Sequence, residues 1–334
     1  MENYKNCIVS EAPKVYIIIV NWNGWKDTIE CLESIYRSEY KNFQIIVVDN
    51  GSDNNSLDYI KLWAGKESKN IPFVAYSAQI EKDYKGGNVE ESLYENNPEL
   101  TIQPLTLIES SFNLGFGGGN NLGLRYILSK KDYGYIWMLN NDTTVNEKSL
   151  SLMVDTMDKK PGIVGSVLMY YDKPANVQAY GGGYLSLLTG QVKTENRNKP
   201  KKLDFITGAS LMIDRNSFLK VGLFDENIFM YFEDIEYCMR AKASNIHLNV
   251  SDAIVYHKVG ASSGKDESYF AWFNGYKSKF YSLLKHKGLG FWFICFFGVL
   301  IFNIINPKTK ADKRMASKDV FFYYLKKHKV ETFV

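Results

Sequence analysis

The residues best suited to chemistry in this chain stand where apolar runs stop. Tyr135 to Leu139 is apolar, and Asn140-Asn141-Asp142-Thr143-Thr144 follows at once. A carboxylate directly after a rigid strand is what a hard divalent cation bridging a diphosphate requires. The same residues also make an ordinary turn. Asp49-Asn50-Gly51-Ser52-Asp53 closes a second run, Phe43 to Val48, in acids, an amide and a turn glycine. Phe229-Met230-Tyr231-Phe232 leads into Glu233-Asp234-Ile235-Glu236. Aromatics before paired acids can stack on a sugar ring and raise a carboxyl pKa, although acids at a helix start also serve simply as caps. Ile254-Val255-Tyr256-His257 ends in an imidazole, which is either structural or a ligand.

These residues need a scaffold, and the chain supplies one of α/β type. Val15 to Val20 is a β-branched run of the kind found in central parallel strands. A loop at Asn21 to Trp25 follows, and Asp27 to Tyr36 puts Ile29, Leu32, Ile35 and Tyr36 on one helical face. Phe43 to Val48 and a helix over Leu57 to Trp63 repeat the unit, predicting right-handed βαβ crossovers. In such sheets ligands gather outside the carboxyl ends of the strands, where the acids stand. Residues 65–104 read as a surface insertion, Leu105 to Ile108 as a strand, and Leu122 to Leu128 as a helix entered through a glycine-rich segment. Lys148 to Lys159 predicts an amphipathic helix stopped by Pro161-Gly162, and Ile163 to Met169 another strand. Phe205 to Ile213 reads as buried.

The glycines exclude two classes. A dinucleotide fingerprint from Gly115 or Gly117 would end on Asn120 or Leu122 instead of glycine, and Gly260 to Asp266 has the wrong spacing for a phosphate-binding P-loop. Glycines 115 to 119 instead permit close approach of a ligand or a neighbouring strand.

With 334 residues and 45% hydrophobic content the chain can bury a large core. Its net charge of +3 is too small to argue for nucleic acid as a partner of the whole protein, and none is expected. From Lys277 to Val334 the charge is +9, leaving −6 for the rest. Leu289 to Ile305 is 17 residues, nearly all apolar, short of the roughly 20 needed to span a bilayer. With Lys285, Lys287, Lys308, Lys310 and Lys313 around it, and Phe321 to Leu325 followed by Lys326, Lys327 and Lys329, residues 289–329 have the composition of an interfacial anchor on anionic lipid. A buried core helix and a homodimer interface are the alternatives. Cys7, Cys31, Cys238 and Cys295 match no zinc pattern and fit a reducing compartment. The polar N-terminus lacks the apolar region of a signal peptide. The expectation is a cytoplasmic protein, peripheral at the inner face of the cytoplasmic membrane.

The ordered series Asn21-Trp22-Asn23-Gly24, Asp49-Asn50-Gly51-Ser52, Asn113 to Asn120, Asn140-Asn141-Asp142, Thr207-Gly208-Ala209, Glu233 to Glu236 and His257 resembles family 2 glycosyltransferases of the rhamnosyltransferase-like branch, over about residues 14–286. The resemblance implies a GT-A fold: a Rossmann-like, mostly parallel central sheet flanked by helices, here with a helical aromatic and basic C-terminal appendage. It implies a catalytic domain over 1–264, with a nucleotide-binding half at about 14–145 and an acceptor-binding half at about 146–264, and a C-terminal region over 265–334. By the same resemblance a dTDP- or UDP-sugar donor would meet Asn21, Asn23, Asp49, Asn120 and Asn141. Asp142 and His257 would hold Mg²⁺ or Mn²⁺, and Asp234 would be the general base of an inverting transfer to a glycan, polyprenyl-diphosphate-linked if the tail meets a membrane. Two features depart from the pattern. Asn140-Asn141-Asp142 replaces an acidic D-x-D, and Phe273 stands where relatives place arginine, with Lys277 one turn beyond as a substitute. A catalytically idle sugar-binding protein on the same fold is the alternative.

Overall fold

The computed structural model describes residues 12–66, 71, 73–78, 105–186, 191–200, 202–258, 268–306 and 309–331. In chain order the elements are β1 (Val15–Asn21), α1 (Trp25–Tyr36), β2 (Phe43–Asn50), α2 (Ser56–Ala64), β3 (Phe73–Ala78), β4 (Leu105–Ser110), α3 (Gly115–Lys130), β5 (Tyr135–Leu139), β6 (Thr143–Val145), α4 (Ser149–Lys159) and β7 (Ile163–Tyr170). They continue as β8 (Val177–Tyr180), β9 (Gly182–Leu185), β10 (Val192–Thr194), β11 (Phe205–Ile206), β12 (Ser210–Asp214), α5 (Arg215–Val221), α6 (Glu233–Ala243), β13 (Leu248–His257), α7 (Tyr269–Lys287), α8 (Leu289–Ile305) and α9 (Ala311–Glu331).

A 10-stranded sheet runs β3-β4-β2-β1-β5-β12-β7-β13-β6, with β8 beside β7, and a 3-stranded sheet runs β10-β9-β11. Strands β3, β4, β2, β1 and β5 are parallel. Their β-branched runs are buried on both faces: Ile17 and Ile19 meet Leu32, Ile35 and Trp63 of α1 and α2, while Tyr16 and Ile18 meet Leu122 and Ile127 of α3. Each such fully buried side chain contributes about 1.5–3 kcal/mol of transfer free energy. Beyond β5 the direction changes. Strand β12 enters antiparallel between β5 and β7, and β13 runs parallel to β7 and antiparallel to β6. The segment Phe205 to Ile213 is therefore two strands broken by a turn at Thr207-Gly208-Ala209.

Two expectations change in detail. The glycine segment is the first part of α3 instead of a loop before it. A Cβ on Gly119 would lie 2.8 Å from Val20 Cγ1, and one on Gly123 2.9 Å from Ile18 Cγ2. Only bare backbone lets this helix lie so close to β1, and that packing overrides glycine's poor helix propensity. Within 65–104, Phe73–Ala78 is an edge strand paired to β4. The remainder of that insertion after Lys66, apart from Ile71, lies outside the described residues, as do Cys7, Gly260, Gly264 and the expected boundary at 264.

Helices α7 to α9 pack around Phe280, Leu283, Trp292, Phe296, Val320 and Tyr324. The fully buried Glu236 of α6 ties them to the sheet domain through Lys285 at 3.2 Å and His286 at 2.9 Å, while Arg240 of its own helix pairs with it at 3.0 Å. Ser278 Oγ also donates to Met230 O at 3.0 Å. Lys277, expected to replace the missing arginine, instead lies over the Tyr323 ring at 5.1 Å, within the packing of α9. Helix α8 has one packed face, with Trp292, Cys295 and Phe296, and one bare face, where Ile294, Ile301 and Ile305 are 61%, 52% and 73% exposed. Among the described residues no helix is long and apolar enough to cross a membrane. Lys308 and the side chains of Lys326, Lys327 and Lys329 lie outside the described residues.

Candidate active site

The parallel register of β1 and β2 sets Asn21 beside Asp49. Asn21 Nδ2 donates to Asp49 Oδ1 at 2.6 Å, Ser52 Oγ donates to the same oxygen at 2.7 Å, and Ser52 N donates to Oδ2 at 3.2 Å. These donors fix a buried carboxylate at the mouth of the sheet. Asn21 Oδ1 in turn accepts from Thr28 Oγ1 at 2.9 Å and Gly24 N at 3.2 Å, holding the loop to the start of α1. Asn23 takes the left-handed conformation (φ 58°), its Oδ1 accepting from Asp53 N at 3.0 Å. That joins the two expected nucleotide loops.

At the end of β5 the three residues of Asn140-Asn141-Asp142 diverge in role. Asn141 Nδ2 donates to Thr28 Oγ1 at 3.1 Å and to Gly24 O at 3.4 Å, so this amide braces the Asn21 loop. Asn140 Oδ1 and Asp142 Oδ1 are buried acceptors with no hydrogen-bond donor. Such orphaned oxygens are costly unless something outside the chain pairs with them. His257 reaches this place because β13 pairs antiparallel with β6, setting His257 opposite Thr143, and Lys258 N donates to Asp142 O at 2.9 Å. Its Nε2 lies 3.3 Å from Asp142 Oδ1, and its Nδ1 is 3.0 Å from Gln178 Oε1. The amide oxygen can only accept, so Nδ1 carries a proton, which leaves Nε2 as the nitrogen that faces Asp142 and could ligate a cation.

Asp234 opens α6 on the far side of the Thr207–Ala209 turn. Its Oδ2 accepts from Gly208 N at 2.9 Å and its Oδ1 from Ile235 N at 2.8 Å. Burial raises its pKa, and the two N–H groups oppose that rise. Beside it, Glu233 Oε2 is buried with no hydrogen-bond partner, and burial together with the Asp234 charge pushes Glu233 up to about 8. Two carboxylates this close in a buried place do not ionise together, and the Gly208 and Ile235 N–H groups favour the charged form at Asp234 over Glu233. The approach is strained: Tyr231 and Phe232 both have positive φ, 64° and 73°. Flanking contacts over-determine this turn, with Phe116 N donating to Phe229 O at 3.0 Å and Ser278 Oγ to Met230 O.

Asn21, Asn23, Asp49 and Asn141 are thus brought into one hydrogen-bonded constellation, and Asp142 and His257 into another beside it. Asn120 is buried but turns its Nδ2 to Phe116 O within its own helix, at 3.0 Å. Gln178 is not foreseen from the sequence, and Asn140, named there as part of the strand-end motif, is given no role of its own. Asn140 carried a signal, since it lies in the motif, whereas nothing marks Gln178. Among the described residues no cluster of three or more His, Cys, Asp and Glu stands ready for a metal. The donor set nevertheless fits a divalent ion completed by a ligand's oxygens: an orphaned carboxylate oxygen with an imidazole nitrogen 3.3 Å from it. Cys31 and Cys238 are fully buried, and burial pushes both thiols up to about 12, which leaves them inert.

Residues 16–93 and 90–222 match the model of the family "Glycosyl transferase family 2". The chain is 29% identical over 182 residues to the low-salt glycan biosynthesis hexosyltransferase Agl10 of Haloferax volcanii, covering 52% of this chain and 58% of that protein's length. It is 23% identical over 272 residues to the rhamnosyltransferase WbbL of Escherichia coli, covering 77% of this chain and 87% of that one. The mannosyltransferase PcManGT of Pyrobaculum calidifontis, solved with GDP-Man and Mn²⁺, shares the fold at a TM-score of 0.55 and 14% identity, over 93% of this chain and 74% of that one.

Proposed function

The chain belongs to glycosyl transferase family 2, and on that premise we propose that it is an inverting, divalent-metal-dependent glycosyltransferase. It moves a hexose, L-rhamnose from dTDP-rhamnose, to a hydroxyl of a lipid-linked glycan in cell-surface polysaccharide synthesis. The observation that carries this reading is the orphaned Asp142 Oδ1 facing His257 Nε2, one strand end away from the fixed Asn21–Asp49 pair. The likeness to WbbL supports the choice of sugar, and the Mn²⁺ in PcManGT agrees with the choice of metal. The bare apolar face of α8 supports an acceptor held at a membrane.

In this reading Asp142 and His257 hold the cation, and Asp49, Asn21 and the Asn23 loop hold the nucleoside. A bound divalent ion supplies neutralising charge for the departing diphosphate. Asp234, whose charged form the Gly208 and Ile235 N–H groups favour, accepts the proton of the acceptor hydroxyl. That oxygen bonds to the anomeric carbon while the bond from this carbon to the diphosphate oxygen breaks. The electron pair leaves with the nucleoside diphosphate, and configuration inverts.

The test is release of nucleoside diphosphate from a panel of dTDP- and UDP-sugars, with Mn²⁺, Mg²⁺ or chelator, in the presence of membrane-extracted lipid acceptors. Turnover of dTDP-rhamnose that chelator abolishes supports the reading. Tight donor binding with no turnover of any sugar would leave an idle binding protein.

A further inference from the structure

The two halves of the candidate site stand on distant parts of the sheet. Asn21 closes β1 and His257 closes β13, and the strands β5, β12 and β7 lie between them. Asn141 joins the end of β5 to Thr28 of α1, whereas the ladder sets β13 against β1 only through three intervening strands. Lys258, the residue after His257, makes a direct link. Its Nζ donates to Asp27 Oδ1 at 2.7 Å and to Glu30 Oε2, both of α1, and lies 4.7 Å from the centroid of the Tyr171 ring, whose hydroxyl donates to Glu30 Oε1. Asp27 and Glu30 are three residues apart on one helical face, so one ammonium reaches both. Asp27 directly precedes Thr28, whose Oγ1 donates to Asn21 Oδ1 at 2.9 Å.

The main chain around Lys258 serves the ion side. Lys258 N donates to Asp142 O at 2.9 Å, and Tyr171 N donates to His257 O at 3.1 Å. Backbone thus holds Asp142 and His257 together, and the Lys258 side chain holds that pair to the helix that carries the nucleotide loop. The side chains of Lys258, Asp27 and Glu30 are 22%, 28% and 40% exposed, and ion pairs so open to solvent add little stability. Their effect is geometric. A diphosphate held through its nucleoside at one end and through a cation at the other must find both at a fixed separation, and a misplacement of about 1 Å costs on the order of 10²-fold in rate. We infer that Lys258 is a positioning residue for the transfer: it acts through His257, setting the ion site against the nucleotide loop so that one donor molecule engages both.

This inference rests on the proposed glycosyl transfer, and calorimetry of dTDP and UDP binding to the full chain, with and without Mn²⁺, tests it. In Lys258→Met the metal-free affinity should match the wild type, and the gain that Mn²⁺ brings should shrink about tenfold, the lower end for groups that orient a ligating imidazole. The melting temperature should barely move, and kcat/KM for the nucleotide-sugar should fall by at least the same factor. Lys258→Arg keeps the charge and should keep most of the gain. Asp27→Asn combined with Glu30→Gln should reproduce the loss, and adding Lys258→Met to that pair should cost nothing further, because all three changes remove one contact. An undiminished Mn²⁺ gain in Lys258→Met overturns the inference. So does an equal loss of metal-free and Mn²⁺-assisted affinity with a fallen melting temperature, which is what a purely structural ion pair would give. Wild type that gains affinity from Mn²⁺ but turns over no nucleotide-sugar sinks the transferase reading and leaves the link between the two halves standing. Wild type whose affinity ignores Mn²⁺ overturns both.

Discussion

The Gly208 N–H donates to Asp234 Oδ2 at 2.9 Å, while the carbonyl of the next residue, Ala209, accepts from Asn140 N at 3.1 Å. One three-residue turn therefore sets both the candidate base and the strand end that carries Asp142. A base must meet the acceptor oxygen within hydrogen-bond reach, so a shared anchor fixes the relative placement of the two halves of the site.

Asp234→Asn keeps the hydrogen-bond acceptor for Gly208 N and removes the proton acceptor. Transfer should fall by about 10²–10⁴-fold, the usual worth of a general base. Donor affinity by calorimetry should be unchanged. Lost donor binding with retained turnover would move the base elsewhere.

Asp142→Asn removes an ionised oxygen that has no donor in the unliganded protein. The metal-dependent part of nucleoside diphosphate affinity should vanish, while the melting temperature without metal stays level or rises, because a buried unpaired charge has gone. A variant whose donor affinity still responds to Mn²⁺ as the wild type does would show that the ion is held by other residues.

Gln178→Ala leaves both proposed ligands in place but frees the His257 tautomer. Groups that orient a ligating imidazole are typically worth about 10–100-fold in metal affinity. That weakening should appear in Mn²⁺ titrations, with metal-free nucleotide binding untouched. Unaltered Mn²⁺ affinity would make the Gln178–His257 contact structural only.

Glu233 gives a pH signature. A buried carboxyl raised from 4.5 to about 8 is bound to its proton more tightly in the folded state. Its contribution to stability is full below about pH 4.5 and is lost as pH rises through about 8. Glu233→Gln abolishes that loss. Thermal melts of the variant and wild type should agree at about pH 5 and diverge at about pH 8.5, the variant melting higher. Parallel curves across the range would contradict the assignment of the proton to Glu233.

Ile301 and Ile305 lie on the bare face of α8. Replacing both with Asp should leave the melting temperature unchanged and release the protein from anionic vesicles in sedimentation, since burial of apolar area at the interface drives such attachment. A large fall in melting temperature instead would mean that this face is packed in solution.

Period alone announces the parallel half of the sheet: runs such as Val15 to Val20 and Phe43 to Val48 are buried on both faces, and a run of that kind has few other places to go. The motif chemistry at Asp49, Asp142 and His257 is legible for the same reason, because polar residues at the ends of apolar runs mark strand ends, whereas Asp234 shows as an acid opening a helix. Which of them meet is decided by tertiary structure. His257 reaches Asp142 only through the antiparallel pairing of β13 with β6, and Gln178 reaches His257 from a strand whose sequence carries no mark. Within Glu233-Asp234-Ile235-Glu236 composition treats the acids alike, yet helical geometry sends Asp234 to Gly208 and Glu236 to Arg240, Lys285 and His286. Gly119 and Gly123 of α3 are tolerated in a helix because β1 lies against them, a contact that local propensity cannot foresee. Lys279 and Lys313 read as solvated tail charges in a basic sequence. Only the packing of α7, α8 and α9 half-buries them and sets both on one cavity wall.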